Sequence, residues 1–189
     1  MIEAIDTRFK GIEHAIVCHR AGDVLIDPGP ASSVEHVIDA LGDIVPSHIL
    51  LTHVHLDHAG GTGKLVEHYP GAQVHIHEVG VPHIIDPARL LASAERTFGE
   101  LLAQFGETIG VPAENVHAIA DGDVIEGFEA IHSPGHSGHH MCFFHAASQT
   151  MLTGDLAGQS VAPHHLTLVS SPPPEIDVEV PHGATVSVE

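Results

Sequence analysis

The sequence predicts a mixed α/β domain built from layers of strands and helices. Strand-like and helix-like segments alternate along the first 109 residues, and a series of strand-like segments follows them. This order of elements indicates a mixed α/β layered domain. Hydrophobic residues occupy 43% of the 189 positions, which argues against disorder across the chain and suffices for a sizeable core.

The first predicted elements are two paired strands, a helix and a third strand. Segments 14–19 and 24–29 are short apolar runs joined by a turn signal at 20–23, as is typical of paired strands. Apolar residues recur at helical intervals within 32–43, and the apolar run 48–52 predicts a buried strand. That strand leads directly into a histidine-rich turn.

A second helix, a strand and a longer helix are predicted next. The helix at 62–70 ends at its proline, and a strand follows at 72–77. Segment 87–109 carries an apolar stripe at helical spacing, which predicts a helix that packs on the core or, alternatively, covers a site. Further strands are predicted at 115–120, 123–125, 128–133, 141–146 and 150–155.

The end of the chain differs in composition from the rest. Segment 171–189 is rich in proline and has no helical periodicity. We therefore predict one domain over 1–170, followed by an atypical tail over 171–189.

Charge and hydropathy exclude several classes of partner. Six Lys and Arg residues stand against 25 Asp and Glu, a formal net charge of −19, so the average field repels DNA and RNA. The apolar runs are too short for a transmembrane helix, and Glu3 and Asp6 lie where a signal peptide would be basic and then apolar. We expect a cytoplasmic protein that binds neither nucleic acid nor membrane and acts on a small molecule.

The turn after the third predicted strand concentrates metal-binding side chains. His53 and His55 are two residues apart, so on an extended segment both side chains point the same way and can bind one ion. Asp57 and His58 follow where the chain turns and could face a second ion. Twenty histidines raise the rate of chance motifs, yet H-x-H-x-D-H would arise by chance with a probability of only roughly 1%.

Two later segments have the same layout of an apolar strand followed by a candidate ligand. His136 follows the strand-like FEAI and a Pro-Gly turn, and Asp155 ends the segment MLTGD. Loops at strand ends commonly build sites on a rigid scaffold. Three segments of this kind predict a shared metal site.

These three motifs, T-H-V-H-L-D-H, P-G-H and T-G-D in that order, resemble those of the metallo-β-lactamase superfamily. The resemblance implies a four-layer αββα sandwich of two mixed sheets flanked by helices. It also implies a binuclear site, in which Asp155 bridges the two metals and Asp27 orients a ligand. The implied ligands are His53, His55 and His136 for the first metal, and Asp57 and His58 for the second.

The last ligand of the second metal is the point at which this chain departs from the family. Family members usually supply one more histidine after a further helix and strand, and His182 is the candidate here, only 27 residues after Asp155. The alternatives are His164 or His165, or no ligand at all in a shortened tail. An incomplete site could bind a single metal, and an incomplete tail could expose an apolar patch that favours a homodimer.

The implied chemistry is hydrolysis. Two divalent ions, zinc first and iron or manganese as alternatives, lower the pKa of a bound water so that hydroxide is available near neutral pH. Asp57 could accept or transfer the proton of that water. We expect a hydrolase of a small ester, thioester or lactone. The alternatives are a mononuclear iron dioxygenase of the persulfide type and a truncated, non-catalytic remnant.

Overall fold

Two sheets form the centre of the computed structural model, which describes residues 1–157, 159–161, 166–168 and 185–187, the last three ranges by their backbone only. The first sheet has six strands in chain order, antiparallel from β1 to β3 and parallel from β3 to β6. Its strands are β1 (Glu3–Asp6), β2 (Val17–Ala21), β3 (Val24–Ile26), β4 (His48–Leu50), β5 (Gln73–His77) and β6 (Val116–Ile119).

The second sheet is built mainly from the later part of the chain. Its strands are β7 (Val124–Ile125), β8 (Phe128–His132), β9 (Met141–His145), β10 (Thr150–Leu152) and β13 (Thr185–Ser187). The order is β13-β10-β9-β8-β7, with only β10 and β13 parallel. The strands β11 (Gln159–Val161) and β12 (Leu166–Leu168) pair antiparallel in a separate small sheet.

The α-helices of the described residues all precede β6. They are α1 (Val34–Leu41), α2 (Leu56–Ala59), α3 (Thr62–His68), α4 (Val81–Ile85) and α5 (Ala88–Phe98). The predicted helix over 87–109 is wrong in its length. The α-helix ends at Phe98 because Gly99 has a φ of +53°, and a 3-10 segment, Gly99–Phe105, continues the chain. None of the helices in the described residues has the length and apolar character needed to span a membrane.

Side-chain alternation along the strands separates two buried cores. Leu25 faces the helices and packs with Val37 of α1 and Leu65 of α3. Val24 and Ile26, its neighbours on β3, face the other way and contribute to the core between the two sheets. The residues of the second sheet in that core are Phe128, Ala130, Met141, Phe143 and Leu152.

The outer face of the second sheet carries a third, smaller apolar cluster. Cys142 and Phe144 alternate with Phe143 along β9 and pack with Met151 on this face. The structure therefore confirms the predicted class, a mixed α/β sandwich of two mixed sheets and helices. The boundary between a domain over 1–170 and a tail stays a prediction.

Candidate metal centre

The candidate ligands meet where strands of both sheets end. His53 comes three residues after β4, and the short helix α2 begins directly after His55, which places Asp57 and His58 in its single turn. His136 lies in the loop between β8 and β9, and Asp155 follows β10. Strands from two packed sheets thus bring three distant segments to one edge of the sandwich.

Four of these side chains form the first group of metal-binding atoms. Nε2 of His53 lies 2.9 Å from Nδ1 of His55, and Nε2 of His136 lies 3.0 Å from the same atom. Oδ2 of Asp155 lies 3.1 Å from Nε2 of His136. Ligand atoms around a tetrahedral zinc ion are about 3.3 Å apart when Zn–N is about 2.0–2.1 Å. All four donor atoms lie within 4.8 Å of one another, close enough for one ion to contact them together.

Asp155 also belongs to a second group, with Asp57 and His58. Its Oδ1 lies 3.2 Å from Nε2 of His58, and Oδ2 of Asp57 lies 3.7 Å from the same nitrogen. One carboxylate thus directs one oxygen to each group, as a bridging ligand would. The side chain of Asp57 is 36% exposed.

Asp27 supports the second group of donor atoms through hydrogen bonds. This buried carboxylate accepts hydrogen bonds from Nδ1 of His58 at 2.9 Å and from the backbone N–H of Thr52 at 2.8 Å. The hydrogen bond to Asp27 uses the Nδ1–H of His58 and fixes the neutral Nδ1–H tautomer. The Nε2 atom of His58 therefore carries a lone pair, on the side of the ring that faces Asp155. Asp27 adopts a φ of +47°, unusual for a residue with a side chain, and these hydrogen bonds compensate for that backbone conformation.

Thr52 extends the same network to the first group. Its hydroxyl donates to Oδ2 of Asp27 at 2.6 Å and lies 3.0 Å from Nδ1 of His53. Since the only hydroxyl proton is used toward Asp27, the Thr52 oxygen accepts from Nδ1–H of His53. The Nε2 of His53 is then unprotonated too. Thr52 lies within the motif T-H-V-H-L-D-H, but the spacing of the motif does not indicate this role.

The surroundings of His53, His55 and Asp155 favour the protonation states that bind metal. Desolvation lowers the pKa of His53 well below its usual value, and the neighbouring His58 and His55 lower it further. Burial also lowers the pKa of His55, against the opposing effect of Asp57. For Asp155, burial alone would raise the pKa, but the imidazoles around it, first His58 and then His136 and His55, lower it to about 2. Neutral imidazoles and ionised carboxylates are the ligand forms.

Gly154 allows the last strand to approach this network. A Cβ at Gly154 would lie 2.7 Å from Oγ1 of Thr52 and 2.9 Å from Nε2 of His140, and the residue has a φ of +48°. His140 is fully buried beside His53, with ring centroids 5.1 Å apart, and its Nδ1 is 2.8 Å from Oγ of Ser133. Only glycine fits here, so Asp155 is placed by close packing as well as by charge.

The structure thus brings together the six residues of the predicted metal set that it describes, with Asp27 behind them. Imidazole and carboxylate donors at this spacing fit divalent zinc or iron. Metal binding by these residues stays a prediction. His182, His164 and His165 lie outside the described residues, so the predicted last ligand also stays a prediction.

Comparison with known proteins gives one consistent result. A family model described as the metallo-beta-lactamase superfamily matches residues 15–179. The structure of an archaeal protein of that superfamily, ST1585 from Sulfolobus tokodaii, superposes with a TM-score of 0.74 at 23% identity, over 89% of this chain and 68% of that one. The structure of TTHA1623 in a di-iron-bound form has a TM-score of 0.55 at 31% identity, over 73% and 64% of the two chains.

Two relatives carry names that state an activity. An atrochrysone carboxyl ACP thioesterase of Aspergillus novofumigatus is 32% identical over 67% of this chain and 31% of its own length. A hydroxyacylglutathione hydrolase of Pectobacterium atrosepticum is 30% identical over 65% of this chain and 38% of its own length. The chain spans only between 31% and 58% of the length of the first three curated relatives that it matches.

Proposed function

The chain belongs to the metallo-beta-lactamase superfamily, and we propose that it is a hydrolase that cleaves a small ester, thioester or lactone with two divalent metal ions. His53, His55 and His136 would hold the first ion, Asp57 and His58 the second, and Asp155 both. Among the possible ions we put zinc first. The di-iron-bound structure of a 31% identical protein supports iron as the alternative.

The observation that carries this proposal is the shared position of Asp155. Its two oxygens lie 3.2 Å from His58 and 3.1 Å from His136, so the two groups of donor atoms meet at one carboxylate. A structural site for a single ion would have no use for the second group. Two adjacent groups of donors are typical of sites that hold a pair of catalytic ions.

Bound divalent ions supply the electrophilic part of the chemistry, because they lower the pKa of water and polarise a carbonyl group. The chain supplies the rest. Asp57 is the more exposed of the two carboxylates, and this exposure supports its assignment as the group that would accept a proton from the attacking water. Burial lowers the pKa of His53 and His55 and keeps both neutral, so Asp57 is the side chain that we assign to proton transfer.

Among the possible substrates, thioesters have the most support. One relative is named a thioesterase and another a hydroxyacylglutathione hydrolase. Attack of water on the thioester carbonyl would break the C–S bond and yield a carboxylic acid and a thiol. The thiol leaves as the product that an assay can detect with a disulfide reagent.

The test is metal-dependent hydrolysis by purified protein. The protein is stripped with a chelator and reloaded separately with Zn²⁺, Fe²⁺ or Mn²⁺, and each form is assayed on a thioester, an ester and a lactone. We expect activity that needs added metal, is lost in Asp155→Asn and survives in Asp123→Asn, a matched change at an exposed turn. Metal-loaded protein that hydrolyses none of the three, or an iron form that consumes oxygen with a persulfide, would contradict the proposal.

A further inference from the structure

A cavity of about 410 Å³ opens beside both groups of donor atoms. His55, Asp57, His136 and Asp155 form one side of it, so a molecule bound there has its reacting group next to the candidate metal centre. A volume of this size falls in the range that accommodates small-molecule ligands. The cavity is therefore the place where the rest of a substrate would lie.

The opposite wall is one face of α5. Leu90, Ser93, Ala94 and Thr97 line the cavity, and their spacing of three, four and seven residues places them on one stripe of the helix. The apolar stripe predicted for this segment thus faces the cavity as well as the core, since Leu90 also packs against the core under α1. Small and apolar side chains make this wall, with two hydroxyls as its polar groups.

Two phenylalanines complete the wall at the mouth. Phe98 and Phe105 line the cavity with ring centroids 5.3 Å apart, and Phe105 also lies 5.4 Å from Phe9. Phe98 is 41% exposed, although it is a large apolar side chain. An apolar group bound in the cavity would cover part of this exposed ring and gain free energy in proportion to the area removed from water.

Apart from the candidate metal ions, the described lining of the cavity has no Lys or Arg side chain that could pair with an anionic substrate. All six Lys and Arg residues belong to the described residues, and none of them lines the cavity. Arg89 and Arg96 lie on α5 outside the lining stripe and are exposed. Arg8 and Lys10 flank Phe9, are exposed and also lie outside the lining. Residues 158–189 contain neither Lys nor Arg, so the remainder of the chain supplies none.

We propose that this cavity binds the apolar acyl group of an uncharged thioester or ester, and that it selects against substrates carried by an anionic thiol such as glutathione. The proposal rests on the proposed hydrolase function and names its substrate class. Phe98 and Phe105 contact the acyl chain, while the hydroxyls of Ser93 and Thr97 bind an uncharged polar group. A carrier with carboxylates meets no counter-charge on this wall and approaches a chain with a net charge of −19.

The test is a binding comparison that does not depend on turnover. Calorimetry on the metal-loaded protein measures two non-hydrolysable thioethers with the same alkyl group, S-hexyl-N-acetylcysteamine and S-hexylglutathione. We expect the uncharged ligand to bind about tenfold more tightly, and shortening hexyl to butyl to weaken its binding about fourfold for each methylene lost. Equal binding, preference for the glutathione ligand or no measurable binding of either would overturn the proposal.

Three variants locate the site. Phe98→Ala should weaken the binding of S-hexyl-N-acetylcysteamine about tenfold and leave the binding of S-methyl-N-acetylcysteamine, the same ligand without the longer alkyl chain, nearly unchanged. Leu101→Ala is the matched control, because Leu101 is also apolar and 57% exposed but lies outside the lining. Thr97→Arg introduces a cation into the wall and should raise the affinity for S-hexylglutathione. No effect of Phe98→Ala and Thr97→Arg would overturn the assignment of the wall.

Hydrolysis of the matching hexanoyl thioesters separates the two proposals. If the uncharged ligand binds preferentially and neither thioester is cleaved, the hydrolase function fails and the assignment of the cavity stands. If the glutathione thioester is cleaved with the higher kcat/KM, the hydrolase function stands and the assignment of the cavity fails.

Discussion

Asp27 accepts a hydrogen bond of 2.9 Å from Nδ1 of His58, and both side chains are almost completely buried. The same carboxylate binds the Thr52 hydroxyl, which in turn lies against Nδ1 of His53. One buried carboxylate therefore fixes the tautomer of one histidine in each group of donor atoms. The lone pairs of the two Nε2 atoms are aimed at the candidate metals before any metal binds.

Asp27→Asn should weaken metal binding without removing a ligand. The amide has only one acceptor oxygen, so its NH2 group must face either the backbone N–H of Thr52 or the pair formed by the Thr52 hydroxyl and Nδ1–H of His58, all of which are donors. Loss of a partner of this kind typically lowers metal affinity about 10–100-fold. Competition with a coloured chelator measures the affinity, and Asp23→Asn, the same change at an exposed residue, is the control. Equal affinities of the two variants would show that Asp27 does not orient the ligands.

Asp155→Asn and Asp57→Asn should differ in the number of metals lost. Asp155 contributes to both groups and Asp57 to one. We expect Asp155→Asn to weaken the binding of both ions, and Asp57→Asn to weaken mainly the binding of the second ion. Elemental analysis of the dialysed variants measures this difference. Loss of the same single equivalent in both variants would contradict the bridging role of Asp155.

Gly154→Ala should destabilise the protein more than a glycine substitution in open space. Its Cβ would lie within 3.0 Å of Thr52 and His140, in addition to the strain of a φ of +48°. Backbone strain of about 1 kcal/mol and overpacking of about 1–3 kcal/mol predict a loss of about 2–4 kcal/mol in the free energy of unfolding.

Gly122→Ala is the control for this substitution. Gly122 has a φ of +84° but no atom within 4 Å of the added Cβ, so only the backbone strain of about 1 kcal/mol is expected. Urea unfolding measures both variants. If both variants lose the same free energy of unfolding, the close approach of Thr52 and His140 to Gly154 does not contribute to the destabilisation.

A row of histidines away from the metal centre makes stability depend on pH. His75 on β5 lies between His48, at 2.9 Å from Nδ1 to Nε2, and His117, whose ring stacks at 5.2 Å. Burial, and then His48 and His117, lower the pKa of His75 to about 4. The unfolded chain binds a proton at this histidine more readily than the folded protein does. The contribution of neutral His75 to the free energy of unfolding is therefore fully present above about pH 6.5 and is lost as the pH drops toward 4.

His75→Gln should reduce that loss. Because the ring is partly exposed, we expect His75 to account for a loss on the order of 1 kcal/mol in the free energy of unfolding between about pH 7 and pH 5. Urea unfolding of metal-free protein at the two pH values measures it, with His36→Gln on the exposed face of α1 as the control. An unchanged difference between the two pH values in His75→Gln would exclude this origin.

Part of this architecture could be predicted from the sequence because it depends on local spacing. The alternation of His53 and His55 and the motifs around His136 and Asp155 mark strand ends, and strand ends are where the fold places them. The end of α5 depends on the positive φ of Gly99, which hydrophobic periodicity does not report. The support from Thr52 and Asp27 depends on contacts between segments 25 residues apart, which no local pattern specifies.

The measurement that tests the account most directly is the metal content of the purified protein. Two groups of donor atoms sharing Asp155 predict about two equivalents of zinc or iron for each chain. One equivalent or less, retained after reloading with excess metal, would contradict the binuclear site and with it the proposed mechanism.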